Sequence, residues 1–510
     1  MHTADDDPKS VRTPAQPPPA PALASGWLAL KWNYIGNILR SLCQFAIGIL
    51  LARMLGPEPF GIVAIAWIIL GFANLVADLG FGAALVQRDA LAPSDVQFIF
   101  TCQMAFALLL TLIGVGAAAS IAAGFHKPEA TLVIQAMFLL FVFQAVGQTA
   151  AAMLRRALNF KTLQQITIAS YLAGYLCVGI PAAYAGLGVW SLVAAQTVQV
   201  LLNAFLLIRV TRVPLRLCFT PHDPAIVRFG LKVTAANLSS WAISNLDVVL
   251  IGRAFGAVDL GLYNRVLNLV NMPMSIITTG FQGVLFAACA RAQRDREAIK
   301  RIYLETNAAV AFLCFPIFLT AALVPETLVL ALYGPLWSAA VPVVTPLALA
   351  VLVNALLAIK GPILMAGDRV HVELRNQGFT VLMFVPALLV AIQYSLVAVA
   401  WAVLLTYIVR WLLLAIDTLR LTGASMGEYA ATFRTPLLCG GCVSIMAMLA
   451  DRALAPWVGP LLRLCIVAAI AGLVLLGLVR LLGGNFVASS LGTLVKPASL
   501  SGPVRKLLNV

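Results

Sequence analysis

LLARMLGPEPFG, residues 50–61, and LIGRAFGAVDLG, residues 250–261, share Leu50/Leu250, Arg53/Arg253, Gly56/Gly256 and Gly61/Gly261 in gapless register. Each stretch closes one apolar run and opens the next. The same 200-residue offset pairs Asn37 with Asn237. It also pairs Gly80, Phe81 and Leu85 of LGFGAAL (79–85) with Gly280, Phe281 and Leu285 of TGFQGVL (279–285). These matches in one frame describe an internal repeat.

Of the 510 residues, 61% are hydrophobic and 11% charged, whereas a soluble domain has roughly 45–50% apolar and about 25% charged residues. The chain therefore reads as an integral membrane protein. Runs of ~20 apolar residues cross a ~30 Å hydrocarbon core as helices, and an outer-membrane barrel would instead alternate in polarity over ~10 residues. The fold class is all-α and polytopic, with about fourteen transmembrane helices. The predicted spans are 33–54, 60–85, 97–123, 130–153, 163–185, 188–209 and 227–252, then 260–287, 304–324, 338–366, 378–394, 396–419, 435–450 and 461–482.

The copies lie six spans apart, an even number, so both run the same way through the membrane. That predicts two six-helix halves related by an axis along the membrane normal, a transporter design whose substrate site lies between the halves. The expected division is a cytoplasmic tail (1–26), an N-terminal half (27–212), a C-terminal half (213–424), two further helices (425–485) and a second tail (486–510). The first tail carries Asp5, Asp6, Asp7 and clustered prolines without an apolar stretch, which reads as disordered sequence and not as a signal peptide.

Basic loop residues orient the helices. With both termini cytoplasmic, the inner loops hold seventeen Lys and Arg, among them Arg88, Arg155, Arg156, Arg216, Arg294 and Arg369; the outer loops hold Arg53, Lys127, Arg253 and Arg452. This positive-inside bias accounts for most of the +14 net charge, so nucleic acid is not implied as a partner.

Polar residues mark the faces that meet. Asn33, Asn37, Arg40 and Gln44 form one face of the first span, and Asn237, Ser240, Ser244 and Asp247 follow the same rhythm on the seventh. On the eighth, Asn264, Asn268, Asn271 and Ser275 make a stripe with Arg265 beside it. Such stripes face a wet cavity or bond one helix to another; both readings stay open. Arg410 lies mid-span, and Arg40 and Lys360 lie closer to the inner surface. A charge at the bilayer centre costs about 2.5–3.5 kcal/mol on insertion scales, so these three are candidate walls of a cationic cavity. The competing readings are an ion pair for Arg410 and snorkelling for Arg40. Asp78 either balances Arg40 or caps the inner end of its span. Arg53 and Arg253, with Gly56, Gly61, Gly256 and Gly261, read as an anchored, hinged corner able to gate the outer mouth.

No GK dipeptide occurs, so no Walker A loop is present. The short outer loops offer no close pair of acids for glycan chemistry. Cys439 and Cys442 read as small packing residues rather than metal ligands. No catalytic residue, metal or cofactor is expected. A basic cavity favours an anionic substrate.

At ARMLGPEPFG (52–61), LVADLGFGAALVQRD (75–89) and LGLYNRVLNLVNMP (260–273) the chain resembles the polysaccharide biosynthesis flippases, the Wzx and WzxC-like branch of the multidrug/oligosaccharidyl-lipid/polysaccharide superfamily. The resemblance covers residues 27 to about 425. Spans 13 and 14 are more typical of lipid II flippases, where such a pair helps form a groove for the lipid tail, but the arginine pattern of their first helix is not reproduced. The resemblance implies alternating-access transfer of an undecaprenyl-pyrophosphate-linked oligosaccharide across the bacterial inner membrane. Its implied partners are that lipid-linked substrate, membrane lipid, and polymerase and chain-length or export proteins. The alternatives are an ion-coupled multidrug exporter of the same superfamily and a membrane glycan polymerase or ligase.

Overall fold

Gly56 and Gly256 adopt φ of 74° and 83°, a left-handed region that glycine enters without steric cost. Each N–H bonds the carbonyl four residues earlier, Ala52 and Gly252, at 3.2 Å. The repeated sequence therefore builds the same corner twice.

The computed structural model describes residues 23–481 apart from 83–84, 86–91, 213–216, 220–224, 293–294 and 367–369. The tail 486–510, most of the tail 1–26, and Arg88, Arg216, Arg294 and Arg369 lie outside the described residues. The helices of the first half are α1 (Leu23–Leu55), α2 (Pro57–Asp78), α3 (Pro93–Gly124), α4 (Ala130–Arg156), α5 (Phe160–Tyr184) and α6 (Val189–Thr211). Then follow α7 (Ala225–Phe255), α8 (Ala257–Arg291), α9 (Arg296–Leu323), a short helix Pro325–Leu332, α10 (Pro335–Leu364), α11 (Val370–Ala391), α12 (Leu396–Thr422), α13 (Met426–Leu454) and α14 (Pro460–Leu481). Eleven of these meet the length and hydropathy of a membrane span.

The helix pairing repeats with the sequence. α2 packs on α4, α3 on α4, α4 on α6, α5 on α6 and α1 on α5; α8 packs on α10, α9 on α10, α10 on α12, α11 on α12 and α7 on α11. α13 lies along α9, and α14 along α13. Gly440 makes the first contact close, since a Cβ there would stand 2.7 Å from Cβ of Phe315; Cys439 beside it is buried, whereas Cys442 is exposed. The α13–α14 pair is pinned by a buried ion pair, Arg463 Nε to Asp451 Oδ1 at 3.1 Å, with the Thr327 hydroxyl of the short helix bonded to both partners.

The main contact between the halves is α2 against α8. At their corner ends the backbones touch: a Cβ on Gly61 would collide with the Ala257 carbonyl, and one on Gly261 with the Pro57 carbonyl. Small residues let membrane helices approach this closely, where dispersion and weak hydrogen bonds replace the hydrophobic drive absent in lipid. Leu51, Ile251, Leu260 and Trp337 seal the space around the crossing and are almost fully buried. The corner end is also where Tyr184, Tyr394 and Trp457 are most exposed, as expected of an aromatic belt at a membrane surface.

Filling the crossing with a methyl group forces the helices apart. G61A and G261A should each lower thermal stability by about 1–3 kcal/mol, the usual cost of overpacking. G116A, where nothing lies within 4 Å, should leave the melting temperature unchanged in the same detergent assay.

Candidate functional site

Away from the sealed corner lie two chambers that share Gln196 and Gln199 of α6, the upper between the halves and the lower within the N-terminal half. The upper chamber, of about 440 Å³, reaches the corner end and is walled by α1, α2, α5, α6 and α8. The lower, of about 620 Å³, lies between α1, α4, α5 and α6 toward the end where the described chain begins.

The lower chamber is cationic. Arg40 of α1 and Arg155 of α4 both line it, and among the described residues no carboxylate does. Arg40 Nε is itself buried without a hydrogen-bond partner. The first-span stripe continues on this wall. Asn37 Nδ2 donates to Asn33 Oδ1 at 3.1 Å, and Gln164 Nε2 donates to Asn37 Oδ1 at 3.1 Å. Asn37 therefore both lines the chamber and bonds α1 to α5. The two readings of the polar stripe are realised in one residue.

The upper chamber is lined mainly by amides and aromatics: Gln44, Trp67, Tyr171, Tyr175, Asn268 and Asn271 among them. Its roof is Arg265, whose guanidinium lies 4.7 Å from the ring centre of Phe60 and 5.2 Å from that of Tyr333. Such cation–π contacts hold a guanidinium without a carboxylate, and Gly48 leaves the room for it. Tyr171 and Tyr175 stack at 4.7 Å, and Tyr175 donates to Gln196 Oε1 at 2.8 Å. A π-helical stretch of α5, Leu172–Gly179, positions this pair; such stretches occur often at functional sites. Gly174 lets the widened turn press on the backbone of α6 at Ala195.

Arg53 crosses to the other half. Its Nε donates to the Leu332 carbonyl at 2.7 Å and a second nitrogen to Ala331, so it caps the end of the short helix. Trp337 Nε1 donates to the Ala52 carbonyl at 2.8 Å. Arg253 makes no equivalent contact and is exposed; on that side the Phe125 ring packs on Gly252. Close by, Glu58 pairs with Lys127 and holds its ammonium protonated to higher pH than usual.

Several expected wall residues stand elsewhere. Lys360 is fully buried, donates to the Trp411 carbonyl at 2.8 Å and faces the Trp411 and Tyr429 rings at 4.8 and 5.7 Å. A break in α10 at residues 358–359 turns it into this aromatic box. Arg410 lies beside Tyr407 on α12 and lines neither chamber. Asp247 is buried inside the C-terminal half. Asn264 bonds Asn268 one turn on, and Asn237 is exposed away from both chambers. Asp78 does not balance Arg40. Its Oδ1 accepts from Gly82 N–H at 3.2 Å and Gln103 Nε2 at 2.9 Å, and Gln103 in turn accepts from Thr149 at 2.6 Å. That chain ties α2 to α3 and α4.

The sequence reading missed Arg155, Gln164, Gln196 and Gln199. The signal is present: Gln196, Gln199 and Asn203 recur at helical spacing, as do Gln144, Gln148 and Arg155.

A family model described as polysaccharide biosynthesis protein matches residues 50–342, a stretch that includes both corners. The chain belongs to this family. It is 27% identical to the teichuronic acid biosynthesis protein TuaB of Bacillus subtilis (strain 168), over 82% of this chain and 87% of that one. It is 23% identical to the lipopolysaccharide biosynthesis protein WzxC of Escherichia coli (strain K12), over 80% and 83%. Among solved structures, the lipid II flippase MurJ in its inward closed conformation superimposes with a TM-score of 0.69 at 10% identity, covering 93% of this chain and all of MurJ. An inward-facing multidrug resistance MATE transporter of the MOP superfamily gives 0.57 at 15% identity, covering 76% and 96%. These two likenesses show the fold of the chain.

Because Asp78 anchors three helices, D78A should cost about 1–3 kcal/mol, the penalty of unpaired buried donors. D78N, still able to accept from Gln103, should cost less. Melting of the purified protein distinguishes the two.

Proposed function

We propose that this protein is a transporter, not an enzyme, and that it flips a lipid-linked oligosaccharide across the membrane by alternating access. Arg40 and Arg155 carry the reading. Two guanidiniums face one chamber that, among the described residues, no carboxylate lines. A pyrophosphate crossing the membrane loses its water, and planar guanidinium forks match its oxygens. The sugar occupies the upper chamber, where Gln44, Gln196, Gln199 and Asn268 offer amide partners to hydroxyls and Trp67 offers a ring face.

TuaB and WzxC are named for polysaccharide biosynthesis, and MurJ is a lipid II flippase; those names supply the substrate class here. The lipid tail stays in the bilayer. The pool served is undecaprenyl-pyrophosphate-linked repeat units in the bacterial inner membrane, with both termini in the cytoplasm, and polymerase and export proteins act downstream. Cationic drugs suit this passage poorly, since its charged walls are arginines.

The R40A/R155A double variant should lower surface polymer by about tenfold or more, equivalent to a loss of ~1.4 kcal/mol or more. The assay is complementation of a strain lacking the gene, with membrane insertion checked by a fluorescent fusion. Undiminished export from the inserted double variant would sink the pyrophosphate assignment.

A further inference from the structure

The short helix Pro325–Leu332 is held at its two ends by different parts of the molecule. In its first turn Thr327 is fully buried, and its hydroxyl works both ways: it donates to Asp451 Oδ1 at 2.5 Å and accepts from Arg463. Asp451 belongs to α13 and Arg463 to α14, and their opposite charges stand 3.1 Å apart. The cluster is neutral overall, and the hydroxyl joins both of its charged members. The short helix packs along α14 as well as α10.

At its other end the helix presents carbonyls. The N–H groups of Tyr333 and Gly334 take those of Val329 and Leu330, at 2.8 and 3.1 Å. The next two, Ala331 and Leu332, accept from the guanidinium of Arg53, which comes from α1 in the other half. The last carbonyls of a helix lack internal donors and carry partial negative charge, so a guanidinium suits them. The chain then passes through Tyr333, whose ring centre lies 5.2 Å from the Arg265 guanidinium at the chamber roof. It continues to Trp337, whose indole N–H reaches the carbonyl of Ala52, the residue before Arg53.

Eight helical residues span about 12 Å. A rigid strut therefore runs from the α13–α14 pair to the end of α1. Among the described residues the first copy has no such strut. Its equivalent loop, residues 125–129, is not helical, and its grip on α7 is the Phe125 ring against Gly252. One side of the seal is thus braced by the two helices that lie outside the repeat.

We propose that the α13–α14 pair sets the strength of the corner seal through this strut, with Thr327, Asp451 and Arg463 acting as positioning residues for the Arg53 contact. This rests on the transport reading above only in taking the corner as a gate that opens. While the cluster is intact, the Ala331 and Leu332 carbonyls stand where one guanidinium binds both. A shift of α13 and α14, or loss of the Thr327 link, moves those carbonyls and releases the end of α1. The same movement withdraws Tyr333 from Arg265.

The test uses the full-length protein in lipid nanodiscs with a cysteine at the corner, L260C, whose thiol labelling is read against the same chain without it. T327V keeps the side-chain shape and removes the hydroxyl. It should raise labelling several-fold, as R53A does, whereas T327S should leave it unchanged. T327V added to R53A should raise labelling no further, because both act on one contact. Unchanged labelling in T327V, with or without a lower melting temperature, would overturn the proposal, as would T327V and R53A effects that multiply. A second measurement leaves the cluster intact. Coupling is reciprocal, so in R53A amide hydrogen exchange should quicken in residues 325–332 and at the facing ends of α13 and α14. Quickening confined to α1 and α2 would overturn the coupling. Neither readout involves polysaccharide, so failure of the flippase reading would show separately, as unchanged surface polymer in a strain lacking the gene.

Discussion

Two glycines set back to back, Gly61 on α2 and Gly261 on α8, let two backbones meet where any side chain would hold them apart. Much of the described architecture follows from that contact. It brings the halves together at the corner end, and further from the corner Tyr34 of α1 also reaches α8, its hydroxyl donating to the Ile276 carbonyl at 3.3 Å. It brings Arg265 of α8 between Phe60 and Tyr333, and so sets the roof of the upper chamber. It also gives the corner a mechanical meaning, because each half reaches across the seal: Arg53 caps the short helix of the other half, and Phe125 packs on the other half's Gly252.

The halves share a pairing pattern but differ in what fills them. The N-terminal half is hollow and polar, with amides on α1, α4, α5 and α6 facing its chambers. The corresponding region of the C-terminal half is occupied. Lys360 stands in a box with Trp411 and Tyr429, while Tyr303 stacks on Tyr429. The lower chamber thus belongs to the first copy, while the upper chamber is lined by residues of both. The α13–α14 pair belongs to that packed body through α9 and the Arg463–Asp451–Thr327 cluster.

This asymmetry explains which residues sequence reasoning placed well. Arg40, Asn37, Gln44, Arg265 and Asn268 do line the chambers, because their stripes occupy the helix faces that the repeat turns inward. Lys360, Arg410 and Asp247 do not. A mid-membrane charge must find a low-cost environment, but a wet cavity is only one such environment. An aromatic box with a carbonyl serves Lys360, and a tyrosine hydroxyl serves Asp247. Composition along one helix cannot choose among these, since the partners come from helices far away in the chain.

Read alone, the residues determined that the chain spans a membrane, how many times, and that it contains two like-oriented copies of one unit. Those properties follow from local periodicity and a constant offset, both of which are written along the chain. Only the tertiary structure decided that the repeated corner is a contact between the copies, that Arg155 joins Arg40 in one chamber, and that Asp78 ties helices together. Each of these depends on which faces pack, and packing is set by side-chain shape across helices separated by dozens to hundreds of residues.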